Sequence, residues 1–563
     1  MTSAPPAAAY LPPLLERGRA WGFALNLYTL RSKGNWGIGD FGDLRTFVEI
    51  SARLGANLIG LNPLHTLHAV DPEAASPYAP TSRYFLNPIY LALPALPEFA
   101  RDPAAAALVA QPDFARDLAA ARAAPHVAYA AVARLKDRVL ERLFANFDTH
   151  AEPARRAAFA AFCARGGERL ERFARYEALT EAFASDDGRV RGWLTWPDAY
   201  RDPASEAVAH FAREHRDRVA FAMFRQWLAD EQLAEAGERA RVLGIGLYRD
   251  LAVGVDLNSA DVWADRSGFV LDEEVGAPPD ALGPLGQNWG LPPPDPDALL
   301  AENGERFEAL LDANMAHAGA VRIDHVMALG RLFRIPRGKS PHDGAYVPYP
   351  LDGLLTILAR ASERNACLVV GEDLGTVPDG FRERMERERV LSYRLLYFER
   401  SQDGGFLPPE CYPELALATV GTHDLPTLAG WAAGRDIEVR REIGALSDEI
   451  AAAALDIRAA DVARLLAILR AYGDLPSENA SPTNVELTRA VYRFLARTRA
   501  RIVLVQLDDA IGEFEQVNLP GTFSEYPNWR RKIGIDLERI AVDSRIAAIA
   551  ADVGERIRGG ANS

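Results

Sequence analysis

A (β/α)8 barrel of the α/β class, interrupted by large helical insertions, is the fold this sequence predicts. Three observations carry that expectation. Eight short apolar runs recur along the chain, at residues 23–29, 56–63, 242–247, 320–324, 367–372, 393–398, 416–422 and 502–507. Most are continuously apolar rather than alternating, which is the pattern of strands covered on both faces in a parallel sheet. Stretches long enough for helices separate them, and eight such units in series close most economically into a barrel, here expected over residues 15–563.

The first unit is the clearest. After run 23–29 comes a segment in which Phe41, Leu44, Phe47, Val48 and Leu54 recur at near-helical spacing, with Gly55 placed to stop the helix. Run 56–63 then completes a strand-helix-strand unit. The third run begins about 180 residues later, far too long a gap for a loop without structure of its own. Its Ala, Arg and Glu content and the spacing of Phe221, Phe224, Trp227 and Leu228 predict a mostly helical insertion over residues 100–235. A second helical block, residues 440–475, separates the seventh and eighth runs, and no tandem repeat is present.

Hydrophobic residues make up 48% of the chain and charged residues 25%, the balance of a folded soluble protein rather than a disordered or membrane one. No apolar run approaches the roughly 20 residues that a bilayer span needs. The 78 acidic residues outnumber the 63 basic ones, for a net charge of -15. That balance argues against a nucleic-acid partner, whose phosphates call for clustered Lys and Arg. Residues 1–19 lack the apolar core and small-residue cleavage site of an export signal, so a cytoplasmic location is expected. Cys163, Cys367 and Cys411 are far apart, with no C-x-x-C pair, and are expected as buried thiols.

Several apolar runs end in carboxylates. In Arg322-Ile323-Asp324-His325, the period of a strand points Arg322 and Asp324 to one face and Ile323 to the other. A guanidinium beside a carboxylate favours the ionised form that a nucleophile requires, although a structural ion pair reads the same way. The fifth run delivers Glu372 and Asp373 from a strand too apolar to solvate them. A carboxyl desolvated there suits a general acid, and the plainer reading is that both cap the following helix or bind main-chain amides. The seventh run ends in Thr422-His423-Asp424, where Asp424 sits at an N-cap position, and taken alone such a motif is more often a cap. Three acid-bearing strand ends in one barrel suit glycoside cleavage, which uses a carboxyl pair flanking the scissile bond. They could also hold a divalent cation, but Arg322 and His423 beside it disfavour a metal. No cofactor is implied.

Together, Arg322-Ile-Asp324-His, Gly371-Glu372-Asp-Leu-Gly375 and Thr422-His423-Asp424 resemble the catalytic segments of amylomaltases, the disproportionating 4-alpha-glucanotransferases of the alpha-amylase-type clan. Residues 27–44, Ser76-Pro-Tyr-Ala-Pro-Thr-Ser82, Gly286-Gln-Asn-Trp-Gly290, and Asn518-Leu-Pro-Gly-Thr522 with Pro527-Asn-Trp529 are similar to further signatures of that family, in order along nearly the whole chain. The resemblance implies a retaining double displacement on maltooligosaccharides and alpha-1,4-glucans, which serve as donor and acceptor, by a monomer or homodimer. Asp324 is the implied nucleophile, Glu372 the acid and base, and Asp424 the stabiliser of the oxocarbenium-like state. Arg322 and His423 are implied to fix the sugar and Tyr78 to stack on it. Trp289, Gln287 and the stretch 276–280 with Asp280 are implied as an acceptor-side wall and lid, although Trp289 also suits ordinary core packing. The family's acid after the third strand falls near Asp256 or Asn258. An alpha-glucan hydrolase and a non-catalytic glucan-binding protein remain the alternatives, since carboxylates alone do not separate transfer from hydrolysis.

Overall fold

Eight parallel strands close into a barrel in the computed structural model, which describes residues 8–184, 192–279, 285–476 and 481–559. They are β1 (Ala20–Leu25), β2 (Leu58–Leu61), β3 (Gly246–Leu251), β4 (Ala320–Ile323), β5 (Leu368–Gly371), β6 (Leu391–Leu395), β7 (Ala416–Thr419) and β8 (Ile502–Gln506). Each pairs with its neighbours in chain order, and β8 closes on β1 with Ala20 opposite Ile502. The interior is packed rather than hollow: Leu58, Tyr248, Ala320, Leu368, Val370, Tyr393, Ile502 and Leu504 fill it as one buried cluster.

Three strands sit away from their expected positions. β1 starts at Ala20 and ends at Leu25, and the apolar Leu27–Thr29 that follows is a buried 3-10 turn. β3 lies four residues later than the run at 242–247, because its second half, Tyr248-Arg249-Asp250, is polar in sequence yet buried. Arg249 is tolerated on that strand because its Nη1 donates to the carbonyls of Ala313 and Ala316, at 2.9 and 3.1 Å. β6 is Leu391–Leu395 rather than 393–398, and it alternates: Leu391, Tyr393 and Leu395 are buried while Ser392 and Arg394 are less so.

The first crossover helix is Phe41–Leu54, as the apolar spacing predicts. Asp40 and Asp43 cap its start reciprocally, and Gly55 ends it in the left-handed region, at φ 80°. Its face carrying Leu44, Phe47 and Val48 is buried against the barrel. Between β2 and β3 the chain is largely helical, including Tyr129–Ala145, Pro153–Phe183 and Arg216–Ala240. Trp227 of the last helix is buried in a ring cluster with Phe147, Phe159 and Phe224. Truncating such a residue to Ala costs about 3–5 kcal/mol. The same helix clamps the chain leaving β2. Gln226 exchanges hydrogen bonds with both main-chain groups of Leu86, at 3.0 and 2.8 Å, and Gln232 does the same for Ala92, at 2.8 and 3.1 Å.

A small antiparallel sheet, in the order Ala345–Pro348, Arg331–Pro336, Glu273–Ala277 and Gln287–Asn288, is contributed by the connections on either side of β4. Between β7 and β8 lie helices that include Arg435–Glu442 and Asp448–Ala471. Of the three cysteines, expected as buried thiols, only Cys367 is buried; Cys163 is half-buried and Cys411 exposed. No helix among the described residues is long and apolar enough to cross a membrane.

Candidate active site

Two-residue periodicity builds this site. Inward positions of β3 run Tyr248, Asp250; those of β4 run Ala320, Arg322 and then Asp324; those of β5 run Leu368, Val370 and then Glu372. Each series is apolar at the barrel's middle and becomes ionisable at the C-terminal mouth. Ile323 is opposite Gly371 in the parallel register, so Asp324 and Glu372 occupy the next aligned positions, on strands about 4.8 Å apart.

Arg322 organises the charges. One guanidinium nitrogen donates to both oxygens of Asp250, at 2.8 and 2.9 Å, and the other reaches Asp324 Oδ1 at 2.8 Å. Desolvation works against the Arg322 charge, but Asp250 and Asp324 outweigh it and hold its pKa well above the ordinary value. A buried fork of this kind fixes two carboxylates relative to one another, which a single lysine could not do.

Glu372 is buried, and both of its oxygens accept main-chain amides: Oε2 from His325 at 2.8 Å and Oε1 from Leu374 at 2.9 Å. Desolvation is the largest influence on it; Arg322 opposes, Asp324 adds, and the net effect pushes the carboxyl up to about 7. The His325 amide is available because that residue adopts φ 48°, a left-handed conformation that costs a non-glycine residue about 1–3 kcal/mol. Its neighbour Asp373 has a different task. It accepts from Ser392 Oγ at 2.5 Å and the Tyr393 amide at 2.9 Å, and pairs with Arg382 at 2.8 Å, tying the end of β5 to β6.

On the opposite side of the mouth, Tyr78 donates to Asp250 Oδ2 at 2.6 Å, lies 3.1 Å from His423 Nδ1 and stacks on the His423 ring with centroids 4.5 Å apart. His423 Nε2 faces Asp424 Oδ2 at 3.3 Å, and Asn518 donates to Asp424 Oδ1 at 2.7 Å. Desolvation raises the Asp424 pKa, but His423 and Asn518 outweigh it and leave the carboxyl below its usual range. Instead of capping a helix, the Asp424 side chain serves this cluster, and Thr427 caps the helix that follows. Trp529, also at positive φ, packs against Tyr78 and His423 at 5.6 and 5.1 Å. Tyr78, Asp250, Arg322, Tyr393, His423 and Gln506 thus surround an open pocket of about 60 Å³ at the strand ends.

The remaining expected residues lie farther out. Trp289 is half-buried on the small sheet, its indole donating to Gln287 Oε1 at 3.0 Å and its ring meeting His325 edge-on at 5.3 Å. That ring contact links the sheet to the turn that carries Asp324. Gln287 is exposed, and Asp280 lies outside the described residues. Asp256 stands apart from the Arg322 fork, on the turn after β3. There its carboxylate accepts the Asn258 amide at 2.6 Å and faces His68 at 3.6 Å. The acid of β3 in the site is Asp250, which the sequence reading missed along with the true position of that strand. The signal was present, since Tyr248-Arg249-Asp250 repeats the two-residue step of Arg322-Ile323-Asp324.

Among the described residues, no group of three or more His, Cys, Asp or Glu side chains is arranged to hold a metal ion. What the geometry offers is a carboxylate paired with an arginine, a second carboxyl with a raised pKa at the aligned position of the next strand, and a third on the far wall.

Comparison with known proteins shows the family and the fold. A family model described as 4-alpha-glucanotransferase matches residues 25–536. The 4-alpha-glucanotransferase of Haemophilus influenzae is 39% identical over 547 residues, spanning 94% of this chain and 77% of that protein. That of Mycobacterium tuberculosis is 39% identical over 567 residues, 96% of this chain and 76% of its own. An amylomaltase structure from Corynebacterium glutamicum matches with TM-score 0.85 at 32% identity, over 96% of this chain and 75% of that one. An amylomaltase from Streptococcus agalactiae, in complex with acarbose, shares the fold with TM-score 0.75 at 20% identity, over 96% and 99% of the two chains.

Proposed function

Because the chain belongs to the 4-alpha-glucanotransferase family, we propose that it moves a segment of a 1,4-alpha-D-glucan to a new position on an acceptor, glucose or another 1,4-alpha-D-glucan, with retention. The observation that carries the reading is the aligned pair Asp324 and Glu372, one bound to Arg322 and the other pushed up to about 7. Retaining enzymes use carboxyls about 5–5.5 Å apart, a separation that adjacent parallel strands supply naturally.

In the first half-reaction Asp324 Oδ attacks C1 of the donor sugar, and the C1–O bond to the leaving chain breaks. The departing oxygen takes the bonding pair and a proton from Glu372. The product is a glycosyl ester on Asp324 with Glu372 as a carboxylate. In the second half, Glu372 takes the proton of an acceptor's 4-hydroxyl, that oxygen attacks C1, and the ester bond breaks to free Asp324. Asp424 faces the developing positive charge on the ring, while Tyr78 and His423 hold the sugar in the cleavage position. Asp250 keeps Arg322 and Tyr78 in place.

Transfer rather than hydrolysis requires that water be kept from the ester while an acceptor binds. Trp289, in contact with His325 beside Asp324, supports that role for the small sheet. The three free cysteines suit a reducing cytoplasm, and the assembly is a monomer or homodimer.

The test is incubation with maltotriose and separation of products by length, with Glu372→Gln alongside. Glucose together with a ladder of longer maltodextrins, absent in the variant, is the expected result. Glucose and maltose with no longer product would mean hydrolysis instead.

A further inference from the structure

A second cavity, with a volume of about 550 Å³, lies between the inserted helix Pro153–Phe183, the strand Ser82–Leu86 and the connection from β3 to β4. We propose that it is a remote docking site for a neutral glucan chain, holding part of a long substrate away from the point of cleavage. The proposal rests on the glucan-transfer reading above and extends it to a second site.

Its position is the first argument. The wall made by Glu302, Glu305 and Arg306 opens the helix Glu305–Met315, which leads into β4 and in a barrel starts at the catalytic mouth. The wall made by Asp261 and Asp265 follows β3 and stands at the same end. Arg83 joins the two sites. It lies five residues after Tyr78, and its guanidinium donates to the carbonyls of Ala252 and Val253, at 3.0 and 2.9 Å, just beyond Asp250. Cavity and active site therefore share one face and one stretch of backbone.

The lining chemistry is the second argument. Several lining charges are partnered within the cavity: Arg306 pairs with Asp265 at 2.9 Å and Arg172 with Glu168, while Asp261 accepts the Arg83 main-chain amide at 2.9 Å. No single sign dominates, so neither a phosphate nor a cation is favoured, whereas fixed donors and acceptors in both senses suit hydroxyl groups. Aromatic surface is also present. Phe85 stacks on Phe173 with centroids 4.2 Å apart and remains half-exposed, Phe269 is half-buried, and Arg169 covers the Tyr84 ring at 4.8 Å. Apolar ring faces beside paired polar groups match a sugar, which is apolar on its C–H faces and polar at its rim.

A break in the inserted helix shapes the wall. Gly167, at φ 51° and ψ -143°, interrupts Pro153–Phe183 beside the cavity, next to Gly166 in its lining.

The test uses Arg169→Ala, which removes the group over Tyr84, and Glu305→Trp, which fills the mouth; both positions are exposed, so neither change empties a core. Two readouts are needed: kinetics on maltotriose and on long amylose, and retardation in gels containing amylose, which requires no turnover. A docked second segment raises the local concentration of substrate, so both variants are expected to raise KM for amylose about five-fold while leaving maltotriose kinetics within about two-fold. Retardation should weaken in parallel. Unchanged amylose KM with unchanged retardation overturns the proposal, and so does an equal loss on maltotriose, which would mean a disturbance of the catalytic site itself. A wild-type protein that is retarded by amylose yet fails to disproportionate maltotriose would defeat the transfer reading instead.

Discussion

Replacing Glu372 by Gln tests electrostatics and catalysis with one side chain. Burial raises the Glu372 pKa from 4.5 to about 7, so the native protein retains a proton that the unfolded chain releases. Stability from this group is undiminished below pH 4.5, falls as pH rises through the interval, and reaches its full loss, about 3 kcal/mol as an upper figure, above pH 7. Glutamine cannot ionise and escapes that penalty. It also sets an amide NH2 against the main-chain N–H of His325 or Leu374, a mismatch costing about 1–3 kcal/mol at every pH. The two effects separate when the variant and wild type are unfolded at pH about 5 and at pH about 8. Between those conditions the variant should gain about 2 kcal/mol relative to wild type, whatever the constant offset. For a chain this long the entropy of unfolding is roughly 1.2 kcal/mol/K, so the differential shift in Tm is about 2 °C. Transfer from maltotriose should fall about 10²- to 10⁴-fold in the same preparation, the usual contribution of a general acid. A stability difference that does not move between the two pH values would refute the raised pKa, and retained turnover would refute the acid role.

Asp324→Asn should reduce transfer about 10³-fold or more without unfolding the protein, checked by initial rates and circular dichroism. For Asp250→Asn, the loss of the bidentate partner of Arg322 should cost about 3–5 kcal/mol in urea unfolding as well as activity, because one buried charge loses half its compensation. Trp289→Ala should shift products toward hydrolysis, read as glucose and maltose released relative to the ladder of longer chains; an unchanged ratio assigns Trp289 to packing alone. Activity should survive an excess of chelator, and its loss would reopen a metal role for the carboxylates.

Most of the barrel was legible because a strand covered on both faces has to be apolar throughout, and runs such as Leu368–Gly371 and Ile502–Gln506 stand out for that reason. The rule fails where a strand carries site residues. In β3 an inward Asp250 and an outward Arg249 both find partners within the protein, so polarity no longer reports exposure and the apolar run stops short. β6 fails differently, by alternating. Within the site, Arg322 and Asp324 could be assigned to one face from their spacing alone. No sequence pattern could show that Asp250 shares Arg322 with Asp324, or that Glu372 takes amides from a left-handed His325, since those contacts depend on register between strands distant in the chain. The same holds for Asp373, whose partners on β6 make it a brace.

The two-pronged Arg322 has a consequence that unfolds in time. When Asp324 becomes an ester it surrenders its negative charge, and an arginine with that carboxylate as sole partner would be left as an uncompensated cation in a dry site, driving the bond to reverse or drawing in water. Asp250 stays bonded to the guanidinium through both of its oxygens, at 2.8 and 2.9 Å, so Arg322 keeps a buried partner when the Asp324 charge is lost. The loaded enzyme can then wait, with its geometry intact, while one sugar chain leaves and another takes its place.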